Sequence, residues 1–404
     1  MALLDDENMC PAPFTGLTIN PQGEIVLCCA SGAPIAHMNN VQSLESFYNS
    51  SQMQYYRNTF LNNKQNEVLK RECISCTLRQ GYNVHTRRDA LRDIYAYNFQ
   101  NLDNDLAETD KPLRYLEFTT SNICNQCCAM CGPKFSSKWV SIVRNDKDIR
   151  KLATYKSPNY VMSNEHIEKI ISVLPTLEYL VIKGGEPFAD ENNFKILSAL
   201  NKVNKTCVVK LVSNCSNVPD NMLELLKERA KSKPVKITAS IDGIHDLYYW
   251  IRSTEFNKTV KTLEKIFNVT KKSIDINITV SLYNIYNLIE IFEFFHSKPY
   301  VNRVHAADQV QWPRYASPSM LPPEEVERIK SNIRNSIIGQ TGKRQKFYGI
   351  TTNWWNVDIF RSYKEIDEGL YEENHPRVAP WIKKMNEIRG MDLYSIVPQL
   401  KEFF

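Results

Sequence analysis

Six short runs of β-branched and apolar residues recur along the middle of the chain, at Tyr115 to Thr119, Tyr179 to Ile182, Val208 to Ser213, Val235 to Ile241, Ile274 to Ser281 and Val304 to Val310. Each is too short for a helix and too apolar for a loop, so the pattern predicts six strands. Between them the apolar spacing widens to that of helices. Glu165 to Leu174 puts Ile167, Ile170, Ile171 and Leu174 on one face, with Asn164 as candidate N-cap, and Asn193 to Val203 does the same with Phe194, Leu197 and Leu200. Further helices are predicted over Asn221 to Ala230, Lys258 to Phe267 and Leu288 to His296. Strands alternating with helices predict βαβ units, a parallel sheet and an α/β fold. Right-handed crossovers put all the helices on one side of that sheet. Functional side chains then belong at the C-terminal ends of the strands.

Those ends carry unusual chemistry. The first strand runs into EFTTSNICNQCCAMC, which spaces Cys124, Cys128 and Cys131 as C-x3-C-x2-C. Three thiolates give a four-iron cluster only three protein ligands and leave one iron open, whereas closed zinc and electron-transfer sites take four. Cys127 adds a fourth sulfur, so a zinc knuckle or a buried thiol cluster stays open as an alternative. The second strand ends LVIKGGEPF. Gly184 and Gly185 let the backbone approach a ligand closely and Glu186 can pair with an ammonium group, although an ordinary strand exit reads the same way. At the third, Ser213 and Asn214 in LVSNCS can hydrogen-bond a sugar or a carboxylate. At the fourth, ASIDG presents Ser240 and Asp242, for which a turn and helix cap is the plain alternative. Arg252 follows ten residues after Asp242. Its planar fork suits a carboxylate; a solvated helix face is the other reading.

The cysteine triplet, followed one helix later by Gly184-Gly185-Glu186, resembles the radical S-adenosylmethionine (SAM) superfamily. The resemblance implies a partial (β/α)6 barrel and a [4Fe-4S] cluster on Cys124, Cys128 and Cys131. The open iron is chelated by the amino and carboxylate groups of SAM, and an injected electron cleaves the sulfonium to a 5'-deoxyadenosyl radical. It assigns Gly184, Gly185 and Glu186 to the SAM amino group and Arg252 to the SAM carboxylate, with Ser213 and Asn214 as further cofactor-binding candidates. Ser240 and Asp242 match the Ser-x-Asp-Gly pattern of SPASM and twitch relatives. Met130 holds the position that packs against adenine, where a generic apolar anchor is an equal account. An external one-electron donor such as flavodoxin or ferredoxin is implied, because the chain has no flavin or nicotinamide motif.

Four more cysteines precede the predicted strands. Cys10 is followed by Gly23 and then Cys28 in the hairpin-like TINPQGEIVLC, and Cys73-x2-Cys76 comes later. This combination resembles the cluster-binding half of SPASM and twitch domains and implies an auxiliary [4Fe-4S] cluster on Cys10, Cys28, Cys73 and Cys76. Whether Cys28 or Cys29 is the ligand stays open, as does a zinc ribbon, since zinc and a cubane both accept four thiolates. The module stands before the barrel rather than after it, so the chain resembles twitch-domain radical SAM proteins with an N-terminal module. The resulting organisation is an N-terminal iron-sulfur module over 1–100, a polar and acidic linker over 101–111, a barrel core over 112–320 and a mainly helical C-terminal extension over 321–404.

Around this frame, Tyr82 to Tyr97 mixes arginines with aromatic and apolar residues and predicts a helix docking the module, or an anion site. Gln311 to Pro323 reads as a loop able to cap the barrel mouth, with Trp312 and Arg314 directed toward substrate. Helices are predicted over Glu324 to Ile337 and Val378 to Ile388, with Trp354 and Trp355 in the core. Cys215 stands where relatives often carry glycine; it reads as a packed small side chain, or as a hydrogen donor or ligand.

Composition narrows the function. The 404 residues allow about two to three domains, and 43% apolar residues supply a sizeable core. A net charge of +5 with no long basic run does not signal nucleic-acid binding. The acidic start MALLDDENM and the lack of an 18-residue apolar stretch predict a soluble, cytoplasmic protein with no membrane partner. Eleven cysteines in that compartment point to metal rather than disulfides. The resemblance implies a peptide or protein side chain as substrate, with a small metabolite such as a sugar, nucleotide or amino-acid derivative as the alternative. A non-catalytic iron-sulfur or zinc protein is a third reading, in which Gly184, Gly185, Glu186, Ser240, Asp242 and Arg252 would have no evident role.

Overall fold

The computed structural model describes residues 10–31, 33–62, 70, 72, 73, 76, 86–98, 112–152, 161–232, 234–336 and 362–404. The predicted linker over 101–111, Trp354 and Trp355 lie outside them. The chain divides into two compact units. One is drawn from Met1–Ser121, Tyr160–Val212 and Asn221–Lys236, the other from Asn122–Asn159, Ser213–Asp220 and Ile237–Phe404.

Nine strands are described: β1 (Gly16–Ile19), β2 (Glu24–Val26), β3 (Ala36–His37), β4 (Tyr115–Phe118), β5 (Tyr179–Ile182), β6 (Val208–Ser213), β7 (Val235–Ser240), β8 (Ile274–Val280) and β9 (Val301–Gln309). The last six are the strands that the apolar runs predict. The largest difference is at β9, which begins at Val301, ahead of the apolar run.

In the first unit the strand order is β3-β2-β1-β4-β5-β6. β4, β5 and β6 are parallel, with Leu116 beside Leu180 and Leu180 beside Val209. All three of these side chains are buried, as expected of strands covered on both faces. The predicted N-terminal hairpin is β1 and β2, antiparallel with Thr18 opposite Val26. Its turn is built by Asn20, whose Oδ1 accepts from the backbone N–H of Gln22 (2.9 Å) and Glu24 (3.1 Å), and by Gly23 at φ +77°. β1 then runs parallel to β4, Leu17 beside Leu116 and Ile19 beside Phe118. Gly16 permits that approach, since a Cβ there would lie 2.3 Å from the Tyr115 carbonyl oxygen.

The helices of this unit follow the predicted periodicity with small corrections. The helix Asn164–Val173 is capped by Ser163, one residue before the expected Asn164, and the Ser163 side chain accepts from His166 N. It buries Ile167, Ile170 and Val173, while Ile171 is only half-buried. In Glu191–Val203 the core positions are Ile196, Leu197 and Leu200, and Phe194 lies half-buried beside them. In both cases the apolar stripe is rotated by about one position from the one read off the sequence, because a helix face is wider than a single row of residues.

The second unit contains the parallel strands β7-β8-β9. β8 alternates, with Ile274, Ile276, Ile278 and Val280 buried and Asp275, Asn277 and Thr279 partly exposed. The helices Phe256–Thr270 and Leu288–His296 contribute Leu263, Ile266, Ile291 and Phe295 to its core. Trp139, Trp250 and Trp381 are fully buried in the same unit. The predicted loop after β9 folds into two short 3-10 turns, Arg314–Ala316 and Pro318–Met320. Trp312 is 61% exposed, with the Arg314 guanidinium 4.8 Å from its ring centre. Among the described residues no helix is long and apolar enough to cross a membrane.

Candidate cluster and cofactor sites

In the second unit the cysteine loop is held by hydrogen bonds along its whole length. Ser137 N–H donates to Asn122 O (2.7 Å), Asn122 Nδ2 to Pro133 O (2.9 Å) and Ser136 Oγ to Gln126 O (2.6 Å). Cys127 N–H donates to Ser253 Oγ (2.9 Å), Ala129 N–H to Ile251 O (2.7 Å) and Trp139 Nε1 to Cys128 O (2.9 Å). A loop whose polar groups are satisfied in this way keeps its side chains in fixed directions.

Cys128 is buried, while Cys124 and Cys131 are half-buried. Burial pushes the Cys131 thiol well up, and the neighbouring Cys128 and Cys124 push it further. Burial also raises the Cys128 thiol, and the Arg252 guanidinium opposes it. Such a pocket disfavours a lone thiolate and favours one whose charge is shared with a metal. Cys127 is directed to a different partner, with Arg389 Nη1 3.4 Å from its sulfur.

The structure brings several predicted cofactor residues to this loop. Asn214 Nδ2 lies 2.8 Å from Asn125 Oδ1 and 3.9 Å from Cys124 Sγ, and Asn214 Oδ1 accepts from Ser216 N–H. Ser213 Oγ accepts from Cys215 N–H (2.8 Å). Cys215 itself is buried at φ +51°, the left-handed region that favours glycine. Arg252 ends the helix His245–Arg252 with Nη1 3.8 Å from Cys128 Sγ and its other terminal nitrogen paired with Asp242. Asp242 is fully buried, and its Oδ1 accepts from Thr279 N–H (2.7 Å). Burial raises the Asp242 carboxyl and Arg252 works against that rise. Ser240 and Met130 are both half-buried, at the end of β7 and beside Cys131.

Gly184, Gly185 and Glu186 belong to the first unit, directly after β5. Gly184 (φ +81°) and Gly185 (φ +48°) are both left-handed, and a Cβ on Gly184 would lie 2.2 Å from Thr119 Cγ2, so only glycine fits there. Glu186 is buried and caps the turn Pro187–Ala189, its Oε1 accepting from Phe188 N–H (3.0 Å).

The N-terminal thiols also lie in the first unit. Burial pushes Cys10 up to about 11 and Cys73 up to about 12. Cys10 and Cys76 raise Cys73 further, and Cys76 does the same to Cys10. Cys28 is raised well above its ordinary value by burial and then by Cys29 and Cys10, while Cys29 is exposed. Arg87 and Arg88, at the start of the predicted arginine-rich helix, oppose the rise at Cys10. Among the described residues no three His, Cys, Asp or Glu side chains stand close enough to share one metal ion.

Sequence reasoning missed one buried charge cluster in this unit. Glu117 on β4 is 1% exposed, pairs with Arg87 and Lys183 and accepts from Tyr115 Oη (2.7 Å). Burial alone would push its carboxyl up, but Lys183 and Arg87 outweigh that and hold it well below the usual carboxylate range. Only its place on an apolar strand marks it, and that is equally the mark of a strand with an exposed face.

The radical SAM superfamily model matches residues 118–295, and that of an iron-sulfur cluster-binding domain, SPASM, matches residues 10–77. No curated protein matches the chain. Among solved structures, anSMEcpe with bound AdoMet and Kp18Cys peptide has a TM-score of 0.39 and 18% identity, covering 53% of this chain and 57% of its own. SuiB of Streptococcus suis bound to S-adenosylmethionine has a TM-score of 0.40 and 13% identity, covering 81% of this chain and 70% of its own. The chain thus spans 57% of the length of anSMEcpe. A radical SAM domain implies a [4Fe-4S] cluster and SAM, and a SPASM domain implies auxiliary iron-sulfur clusters. The neighbouring thiols of Cys124, Cys128 and Cys131 fit the first of these, with Asn214 beside Cys124 and Arg252 beside Cys128. Residues 118–295 thus form a radical SAM domain, and residues 10–77 an iron-sulfur cluster-binding domain.

Proposed function

We propose that the chain is an enzyme that reductively cleaves SAM at a [4Fe-4S] cluster on Cys124, Cys128 and Cys131 and abstracts hydrogen from a peptide or protein side chain. One observation carries this reading. Three neighbouring thiols sit in a loop held by hydrogen bonds, and Arg252, with Nη1 3.8 Å from Cys128 Sγ, is itself anchored by a buried carboxylate. When bound, the cluster and SAM supply a 5'-deoxyadenosyl radical that takes a hydrogen atom from the substrate.

The residues of the chain bind and orient. Arg252 offers its guanidinium to the SAM carboxylate, and Asp242 keeps that fork aimed by holding one of its terminal nitrogens. Glu186 takes the SAM amino group, and Gly184 and Gly185 expose backbone groups that a side chain would cover. Ser213, Asn214 and Ser240 serve the sugar and the methionyl group, and Met130 packs against adenine. Cys10, Cys28, Cys73 and Cys76 hold an auxiliary cluster, with half-buried Cys28, which lies near Cys10, preferred to exposed Cys29. Flavodoxin or ferredoxin delivers the electron. The resemblance to SPASM proteins supports the peptide class.

The test is anaerobic reconstitution with iron and sulfide, then reduction with SAM and assay of 5'-deoxyadenosine. A fully loaded, reduced protein that makes none overturns the reading. Candidate peptides and metabolites carrying deuterium are then compared; label appearing in 5'-deoxyadenosine from a metabolite but from no peptide would overturn the substrate class.

A further inference from the structure

One buried cation of the second unit has no place in the function proposed above. Arg389 is the last residue of the helix Val378–Arg389, 7% exposed, and Gly390 at φ +64° ends the helix directly after it. Its guanidinium divides between two segments. Nε donates to Trp250 O (2.9 Å), Nη1 to Cys127 Sγ (3.4 Å) and Nη2 to Cys127 O. The same helix face makes two more such contacts. Trp381 Nε1 donates to Ala129 O (3.2 Å), with its ring stacked on Trp139 at 5.5 Å, and Asn386 Oδ1 accepts from Trp250 Nε1 (2.7 Å). Trp381, Met385 and Arg389 follow one another at four-residue steps and are all buried, so a single stripe of this helix faces the cysteine loop and the Arg252 helix.

From this geometry we infer that Arg389 is a positioning residue for the cluster: its fork fixes the Cys127–Ala129 segment, and its charge is held beside the residue preceding Cys128. The inference rests on the reading of Cys128 as an iron ligand. A buried guanidinium keeps its charge, and three hydrogen bonds to two segments leave it little freedom to turn away. The loop backbone on either side of Cys128 is thereby tied to a helix more than 240 residues further along the chain. Groups that hold a metal's ligands in this way typically change its affinity by about tenfold to a hundredfold when they are removed. A positive charge near an iron-sulfur cluster also favours its reduced, more negative state.

The experiment compares the full-length reconstituted protein with Arg389→Gln and Arg389→Lys. The cluster's midpoint potential is read by EPR-monitored titration, and its retention by the rate of iron loss to a chelator. Arg389→Gln is expected to shift the potential to more negative values and to lose iron about tenfold faster or more. Arg389→Lys, which keeps the charge without the fork, should restore the potential while still losing iron faster than the wild type. Wild-type potential and iron retention in Arg389→Gln overturn the inference. Should Arg389→Gln not fold, iron loss from Arg389→Lys at the wild-type rate overturns it. A wild type that assembles no cluster, or one whose signal survives Cys128→Ala, overturns the ligand reading beneath it; a normal wild type with indifferent Arg389 variants overturns the inference alone.

Discussion

Arg252 Nη1 stands 3.8 Å from the sulfur of Cys128, and the other terminal nitrogen of the same side chain is paired with fully buried Asp242. The cation that the function assigns to the SAM carboxylate is thus held at the cluster loop before any ligand arrives. Arg252→Ala is expected to weaken SAM binding by about 1.5 to 3 kcal/mol, the value of a charged hydrogen bond. Glu186→Ala should cost a similar amount. Calorimetric titration of the iron-loaded variants with SAM measures both, and unchanged affinity in the two would remove the methionyl site. Because Arg252→Ala strands a buried carboxylate, its thermal stability should fall as well, and pairing it with Asp242→Ala should recover part of that loss.

Cys124 and Cys128 both act on the Cys131 thiol, whereas the sulfur of Cys127 is met by Arg389. Replacing any one of the three by alanine is expected to abolish 5'-deoxyadenosine formation, since the proposed cluster takes only these three protein ligands. Cys127→Ala should keep its iron and most of its activity. Loss of the cluster in Cys127→Ala, with retention in Cys128→Ala, would reverse the assignment.

Glu117 has a depressed carboxyl pKa in the folded chain, which fixes the sign of its effect on stability. A carboxyl that binds its proton less readily when folded stabilises the fold fully above the unfolded value of about 4.3 and loses that contribution progressively as the pH falls below it. Wild type and Glu117→Gln should therefore differ more in melting temperature at pH 6 than at pH 4. A gap that is constant, or that widens in acid, would show that the Lys183 and Arg87 pairing does not control this carboxylate.

The N-terminal thiols have their own test in a variant with Cys124, Cys128 and Cys131 all changed to alanine. Four thiolates at Cys10, Cys28, Cys73 and Cys76 should retain one fully ligated cluster of about four irons, with no spectral response to SAM. Mössbauer spectroscopy with metal analysis reads the result. A colourless protein holding one zinc would replace the cluster with a structural site and leave the SAM chemistry unaffected.

The sequence by itself determined the local features. Short apolar runs marked β4 to β9, because a strand with at least one covered face must carry apolar residues whatever packs on it. The position of Gly23 marked the hairpin turn, because few residues tolerate its positive φ. The Gly184-Gly185 turn was legible for the same reason, since positive φ and a close approach are set within a few residues. Tertiary structure decided what depended on distant partners. Ser163 rather than Asn164 caps its helix, a one-residue difference set by where the chain enters it. Asp242 turned out to hold Arg252, Glu117 to sit between two cations, and Arg389 to reach Cys127 across 262 residues of sequence. A charged side chain reads the same in sequence whether it faces water or a buried partner, and only the folded chain brings that partner within hydrogen-bond distance.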